Sequence, residues 1–161
     1  MTKQKLFLLS DASADAKTKL GFGAYLILSE EELTQISPLT AIKTKSFEDT
    51  SSSKVELQTL LWALSEIDSS KYKVIIYTDC QNTIGLVERR ERLEKNNYIS
   101  KSNKILNNHE LYKEFYARID SFEYELLKIK GHKKKDTKDA LDKIFTLVDK
   151  ASRSALREAL M

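Results

Sequence analysis

The chain has 161 residues, 41% of them apolar, with 4 glycines and 1 proline, a length and composition that suit one domain (1–161) with a real core and leave no need for a second. Its formal net charge is only +3, but Lys and Arg bunch in segments 89–104 and 128–138, giving basic patches that a polyanion could use. The single cysteine, Cys80, excludes an internal disulfide and a thiolate metal centre and fits a reducing compartment. The N-terminal apolar run is too short for a signal peptide and no stretch approaches the ~20 apolar residues of a membrane span, so a cytoplasmic chain with no membrane partner is expected.

In chain order, KLFLL (5–9) reads as a strand buried on both faces and stopped at Ser10-Asp11. GFGAYLILS reads as a second strand whose glycines, Gly21 and Gly23, allow close backbone approach near its start. A third strand, Ala41 to Phe47, follows the Ser37-Pro38 break. After Ser51-Ser52-Ser53 comes VELQTLLWALSEI, where Leu57, Leu60, Leu61, Leu64 and Ile67 recur at helical spacing. KVIIYT (73–78) is a central strand ending at Asp79, and Asn82 to Arg89 opens another helix. Residues 90–108 are polar and carry no clear period. ELYKEFYARI (110–119) is helical, YELLKIK (124–130) is a final strand, and Lys138 to Leu160 forms a long terminal helix. The order is βββαβααβα, with the Lys-rich segment before the last helix as the candidate mobile loop.

Four carboxylates stand in recognisable local frames: Asp11 in LLSDAS, Glu56 in KVELQTLLWAL, Asp79 in IIYTDCQ and Asp149 in LVDKASRSAL. If the first and fourth strands are parallel neighbours, Asp11 and Asp79 emerge at the same sheet edge. Glu56 shares a helix face with Leu60, Ala63 and Ile67, so it aims toward the sheet. Hard divalent cations need only a few convergent carboxylates with open positions for phosphate and water, and two ions about 3.5–4 Å apart can serve an in-line displacement. Asp11, Asp79 and Glu56 also have plain structural readings. An Asp after a strand is often a turn or N-cap residue, and Ser53-Lys54-Val55-Glu56 matches a capping box in which the glutamate bonds the N-cap amide. The joint pattern favours a metal-dependent nuclease.

Taken together, LLSDAS, GFGAYLI, SSSKVELQTLLWAL, IYTDCQ, LLKIKGH and VDKASRSAL resemble type 1 ribonuclease H over nearly the whole chain. The resemblance implies an α/β ribonuclease H-like fold, a five-stranded mixed sheet flanked by helices. It implies Asp11, Glu56, Asp79 and Asp149 as an acidic quartet holding two magnesium ions, with manganese able to substitute. The reaction it implies is hydrolysis of the RNA strand of an RNA–DNA hybrid, giving 5′-phosphate products. By the same match, Ser51, Ser52, Ser53 and Gln81 lie along the minor groove, where 2′-hydroxyls distinguish RNA from DNA. His132 in KGH matches a loop histidine that moves protons or assists product release. No obligate protein partner is implied, and a monomer is expected.

The chain departs from the family pattern in three places. Ala12 stands where Gly usually follows the first Asp, a serine run replaces Asn before the helix glutamate, and His132 lies farther than usual from Asp149. Ser can still hydrogen-bond a 2′-hydroxyl but reaches less far than Asn. Asp142 lies nearer the usual distance from His132; Asp149 is preferred because Ala151 and Ala155 follow it and let the helix pack closely, while Asp142 reads as an exposed early-helix acid favourable to the dipole.

Other residues have weaker signals. Segment 89–116 occupies the place of a basic handle that grips the DNA strand, with Arg89, Arg90, Arg92, Lys95, Lys101 and Lys104 interleaved with Tyr98 and Tyr112, against a plain helix pair with surface lysines. Lys128, Lys130, Lys133, Lys134, Lys135 and Lys138 could draw phosphate toward His132. His109 falls near a helix start, Trp62 reads as core, and Cys80 as a small buried residue. Two rival functions stand beside hybrid cleavage: another nuclease of this superfold acting on DNA, and a catalytically silent module that binds hybrids or RNA.

Overall fold

The computed structural model describes residues 3–34, 41–129 and 140–161. Five strands form one mixed sheet: β1 (Gln4–Ala14), β2 (Gly21–Ser29), β3 (Lys43–Phe47), β4 (Tyr72–Thr78) and β5 (Tyr124–Lys128), in the order β3-β2-β1-β4-β5. β1 pairs antiparallel with β2 and parallel with β4; β2 pairs antiparallel with β3, and β4 parallel with β5. The helices are α1 (Ser52–Ser65), α2 (Gln81–Lys95), α3 (His109–Asp120) and α4 (Ala140–Leu160), with a 3-10 turn at Glu32–Thr34. The expected mixed five-stranded sheet with flanking helices is therefore present, and the parallel β1–β4 pairing is the one that the two strand-end aspartates require.

The pleat sorts the central strands into two cores. Leu8 on β1 and Tyr25 on β2 join Leu57, Leu60, Leu64, Ile76 and Phe115 on the side of α1, α2 and α3. Leu9, Ala24, Leu26 and Leu28 project the other way, toward Phe145 and Val148 of α4. This explains why β1 and β2 read as continuous apolar runs: both faces are covered. On α4 the buried positions Asp142, Phe145, Val148 and Ser152 recur at helical spacing, so one stripe of that helix lies on the sheet.

Several boundaries differ from the sequence reading. β1 does not stop at Ser10-Asp11; it runs on to Ala14 because the polar SDASA segment keeps its antiparallel partner, from Ser10↔Tyr25 to Ala14↔Gly21. β3 starts at Lys43 rather than Ala41, β5 is described to Lys128, and α2 continues to Lys95. Trp62 is only partly buried; it stands edge-on to Tyr25 at 4.6 Å, with the Lys45 ammonium 5.7 Å from its ring.

Arg90 staples α2 to α3. Its Nη2 bonds Asp120 Oδ2 at 2.7 Å, its Nε bonds Glu94, and its guanidinium lies 4.9 Å from the Tyr116 ring centroid. Tyr116 in turn donates its hydroxyl to the Leu86 carbonyl at 2.6 Å. A half-exposed bidentate pair contributes at most about 1 kcal/mol and a cation–π contact about as much. Arg90→Ala is therefore expected to lower the urea midpoint by the equivalent of about 1–2 kcal/mol with an unchanged slope; an unshifted midpoint would reduce the contact to a surface ornament.

Candidate metal centre and nucleic-acid interface

β1 and β4 stay paired as far as Leu9↔Tyr77 and then part. Asp11 and Asp79 each lie two residues beyond that last pair, so their equivalent places follow from the parallel register. Asp11 remains in β1, opposite Ala24 of β2, while Asp79 follows the end of β4. Past the parting point the Ala12 N–H has no β4 partner. It donates instead to Asp11 Oδ1 at 2.9 Å and to Glu56 Oε1 at 3.3 Å.

The start of α1 removes the capping-box reading of Glu56. The N-cap of α1 is Ser51, whose hydroxyl accepts from the Lys54 N–H at 3.3 Å. With Ser51 at the cap, Glu56 lies in the second turn and is not the glutamate of a capping box. Its carboxylate reaches β1 instead. Carboxylate oxygens of Asp11, Glu56 and Asp79 lie within 4.8 Å of one another.

Asp149 joins them from the opposite face of the sheet, its carboxyl hydrogen-bonded to that of Asp11. Arg153, one turn along α4, holds Asp149 Oδ1 at 3.1 Å. Asp142 lies two turns earlier and is 8% exposed, which corrects its reading as a solvent-facing acid. The α4 stripe that carries Phe145 and Val148 onto the sheet carries Asp142 inward with it.

The electrostatics are those of buried carboxyl groups that repel one another. Burial pushes the Asp11 carboxyl up to about 10, helped by its hydrogen bond to Asp149 and the charges of Glu56 and Asp79. Burial likewise pushes Glu56 up to about 8, with Cys80 and Asp79 adding to the rise. Protons hold the cluster together where no cation does. Oxygens bound to one magnesium ion at 2.0–2.1 Å lie about 3–4 Å apart, so the observed oxygens need little rearrangement to share divalent ions.

Around the acids lie several of the residues expected to contact nucleic acid. Ser51, Ser52 and Ser53 are exposed at the start of α1, with the Ser51 hydroxyl engaged as the cap. Gln81 is exposed at the start of α2, and its Oε1 accepts from Lys128 Nζ at 2.7 Å. Cys80 is half-buried as the α2 N-cap, rather than fully buried. His132, Lys130, Lys133, Lys134, Lys135 and Lys138 lie outside the described residues.

The 89–116 segment is less of a handle than its composition suggests. Arg90 is held by Asp120 and Glu94, and Arg89 bonds Asn82 Oδ1 at 3.1 Å. Tyr98 is buried beneath Lys113, and Tyr112 packs on the core. Arg92, Lys95, Lys101 and Lys104 are exposed. His109 is the first residue of α3, its Nδ1 2.8 Å from the Leu106 carbonyl.

Sequence reasoning missed the Ala12 amide, the Arg153 ion pair and the Gln81–Lys128 contact. The i, i+4 spacing of Asp149 and Arg153 was the one local signal available for the second.

The family model for RNase H matches residues 3–151. No curated relative matches the chain at a significant level. Among solved structures, the chain is similar to LC9-RNase H1, a type 1 RNase H with the type 2 active-site motif, at a TM-score of 0.69 and 14% identity over 96% of this chain and 74% of that one. It is also similar to the foamy viral protease-reverse transcriptase solved in complex with dsDNA, at a TM-score of 0.61 and 11% identity over 92% of this chain and 94% of that one. At these identities the structural likeness speaks for the fold alone. The family match runs through every strand of the sheet and through Asp11, Glu56, Asp79 and Asp149, and the chain belongs to the RNase H family.

Proposed function

We propose that the protein is a ribonuclease H, hydrolysing the RNA strand of RNA–DNA hybrids at the crevice where β1 and β4 part. The observation that carries the reading is the convergence of Asp11, Glu56 and Asp79 within 4.8 Å, with Asp149 hydrogen-bonded to Asp11, in a chain of this family. Magnesium, with manganese as substitute, is the cation class that this all-oxygen donor set suits.

Asp11 and Asp79 would bind the metals centrally, and Glu56 and Asp149 would complete one site each. When bound, two such ions supply an activated water and stabilise the departing oxygen. The Ala12 amide keeps Glu56 turned toward Asp11. Ser52 and Ser53 present hydroxyls to the minor groove. Gln81, its oxygen engaged by Lys128, presents its amide N–H groups there. The enzyme is read as a cytoplasmic monomer; among the described residues no helix is long and apolar enough to cross a membrane.

The test is a panel of labelled hybrid, duplex RNA, duplex DNA and single strands with magnesium or manganese. Cleavage confined to the RNA of the hybrid, leaving 5′-phosphates, is expected. Cutting of DNA would move the chain to another nuclease class of the same fold, and binding without cutting would make it a silent module. His132→Ala is expected to lower turnover at saturating hybrid by ~10- to 100-fold, the usual size for assisted proton transfer. An unchanged turnover number would leave His132 a bystander.

A further inference from the structure

The placement of Glu56 depends on how closely α1 approaches the sheet, and one residue of β2 controls that approach. Gly23 lies directly opposite Ala12, the residue whose amide holds Glu56. A methyl carbon added at Gly23 would fall 1.9 Å from Thr59 Oγ1, 2.7 Å from Thr59 Cγ2 and 2.8 Å from Thr59 Cβ. Thr59 is fully buried, and its hydroxyl donates to the Val55 carbonyl at 2.7 Å, so rotation of that side chain is resisted. Even if it rotated, the Cβ would not move, because it is fixed to the helix backbone. Carbon contacts are ordinarily about 3.5 Å or longer, so the helix itself would have to retreat by roughly 0.7 Å.

Thr59 lies three residues beyond Glu56, on the adjoining turn of α1. Any retreat at Thr59 therefore draws Glu56 away from Ala12 and Asp11. Gly21 repeats the arrangement one step along the same face, where an added carbon would lie 2.7 Å from Thr50 Cγ2 and 3.0 Å from Val55 Cγ2.

We infer that Gly23 is a positioning residue of the metal centre, its missing side chain setting the α1-to-sheet distance at which Glu56 can share a cation with Asp11. The inference rests on the ribonuclease H reading for its catalytic consequence and not for its metal-binding one.

The test compares wild type, Gly23→Ala and Gly23→Ala/Thr59→Gly, the last removing the whole Thr59 side chain from the helix side of the contact while a methyl group is added on the strand side. Manganese binding is measured by calorimetry, and hybrid cleavage well below the melting temperature. A displacement near 1 Å is expected to cost about 100-fold in kcat. Gly23→Ala should show that loss together with weakened manganese binding. The double variant should recover at least tenfold of both while melting below wild type, since glycine is unfavourable inside a helix.

A folded Gly23→Ala with wild-type manganese affinity and kcat would overturn the inference. So would a loss that Thr59→Gly fails to relieve, because that is the behaviour of a merely destabilised fold. Should Gly23→Ala not fold, Thr59→Ile adds bulk to the same contact from the helix, and unchanged manganese binding in that variant overturns the inference equally. If the wild type cuts no hybrid, the ribonuclease reading fails, and the calorimetric comparison still decides the role of Gly23.

Discussion

Asp11→Asn is expected to abolish hybrid cleavage by several orders of magnitude and, without metal, to make the protein more stable. Both outcomes come from one cause. Asp11 is 3% exposed and faces Glu56, Asp79 and Asp149, so its charge is useful only when cations are present to meet it. Asparagine keeps the volume and discards the charge. Without metal, Asp11 can be buried only by taking up a proton, a cost that grows with pH and that asparagine avoids.

The pH dependence identifies the mechanism. An unfolded Asp titrates near ~3.9, whereas in the folded, metal-free protein Asp11 titrates at about 10. Between those values the folded state holds a proton that the unfolded state has released, so stability falls as pH rises through the window. The stability advantage of Asp11→Asn should therefore be small at pH 5 and grow toward pH 9. Magnesium reverses the comparison, because it stabilises a folded state that binds it. Its addition should raise the wild-type melting temperature at neutral pH and leave the Asn variant nearly unmoved. An Asn variant that melts no higher than wild type at pH 9 without metal would show that Asp11 is not held under electrostatic strain.

Much of this site was legible because its acids interrupt strong patterns. KLFLL and KVIIYT are apolar runs that end in Asp, and parallel pairing then fixes Asp11 and Asp79 at equivalent places. Glu56 was legible as an inward acid from its helix face. The features that stayed hidden depend on partners remote in sequence. Nothing in SDASA announces a strand, and its continuation past Asp11 is held by β2. Any of three adjacent serines could cap α1; Ser51 does so with its neighbour Thr50 anchored through its N–H to the Lys19 carbonyl. The burial of Tyr98 and the engagement of Arg89 and Arg90 are likewise products of packing between α2 and α3, which composition alone reads as a basic surface.

The fourth acid separates spacing arguments from geometric ones. Spacing from His132 favours Asp142, whereas the hydrogen bond to Asp11 is made by Asp149. The two lie seven residues apart on α4, about 10 Å along the helix axis, so one cluster of cations can reach only one of them directly. Asp149 also carries Arg153 at 3.1 Å, a cation that moderates its charge in the metal-free protein. Asp149→Asn is therefore expected to lower cleavage by two or more orders of magnitude and to raise the magnesium concentration needed for half-maximal rate. Asp142→Asn should leave both within a few-fold, whatever it does to the melting temperature of a helix that buries that residue. The opposite ranking, measured on folded variants across a magnesium titration, would place the fourth ligand one heptad nearer the start of α4 and would require that helix to slide along the sheet when cations bind.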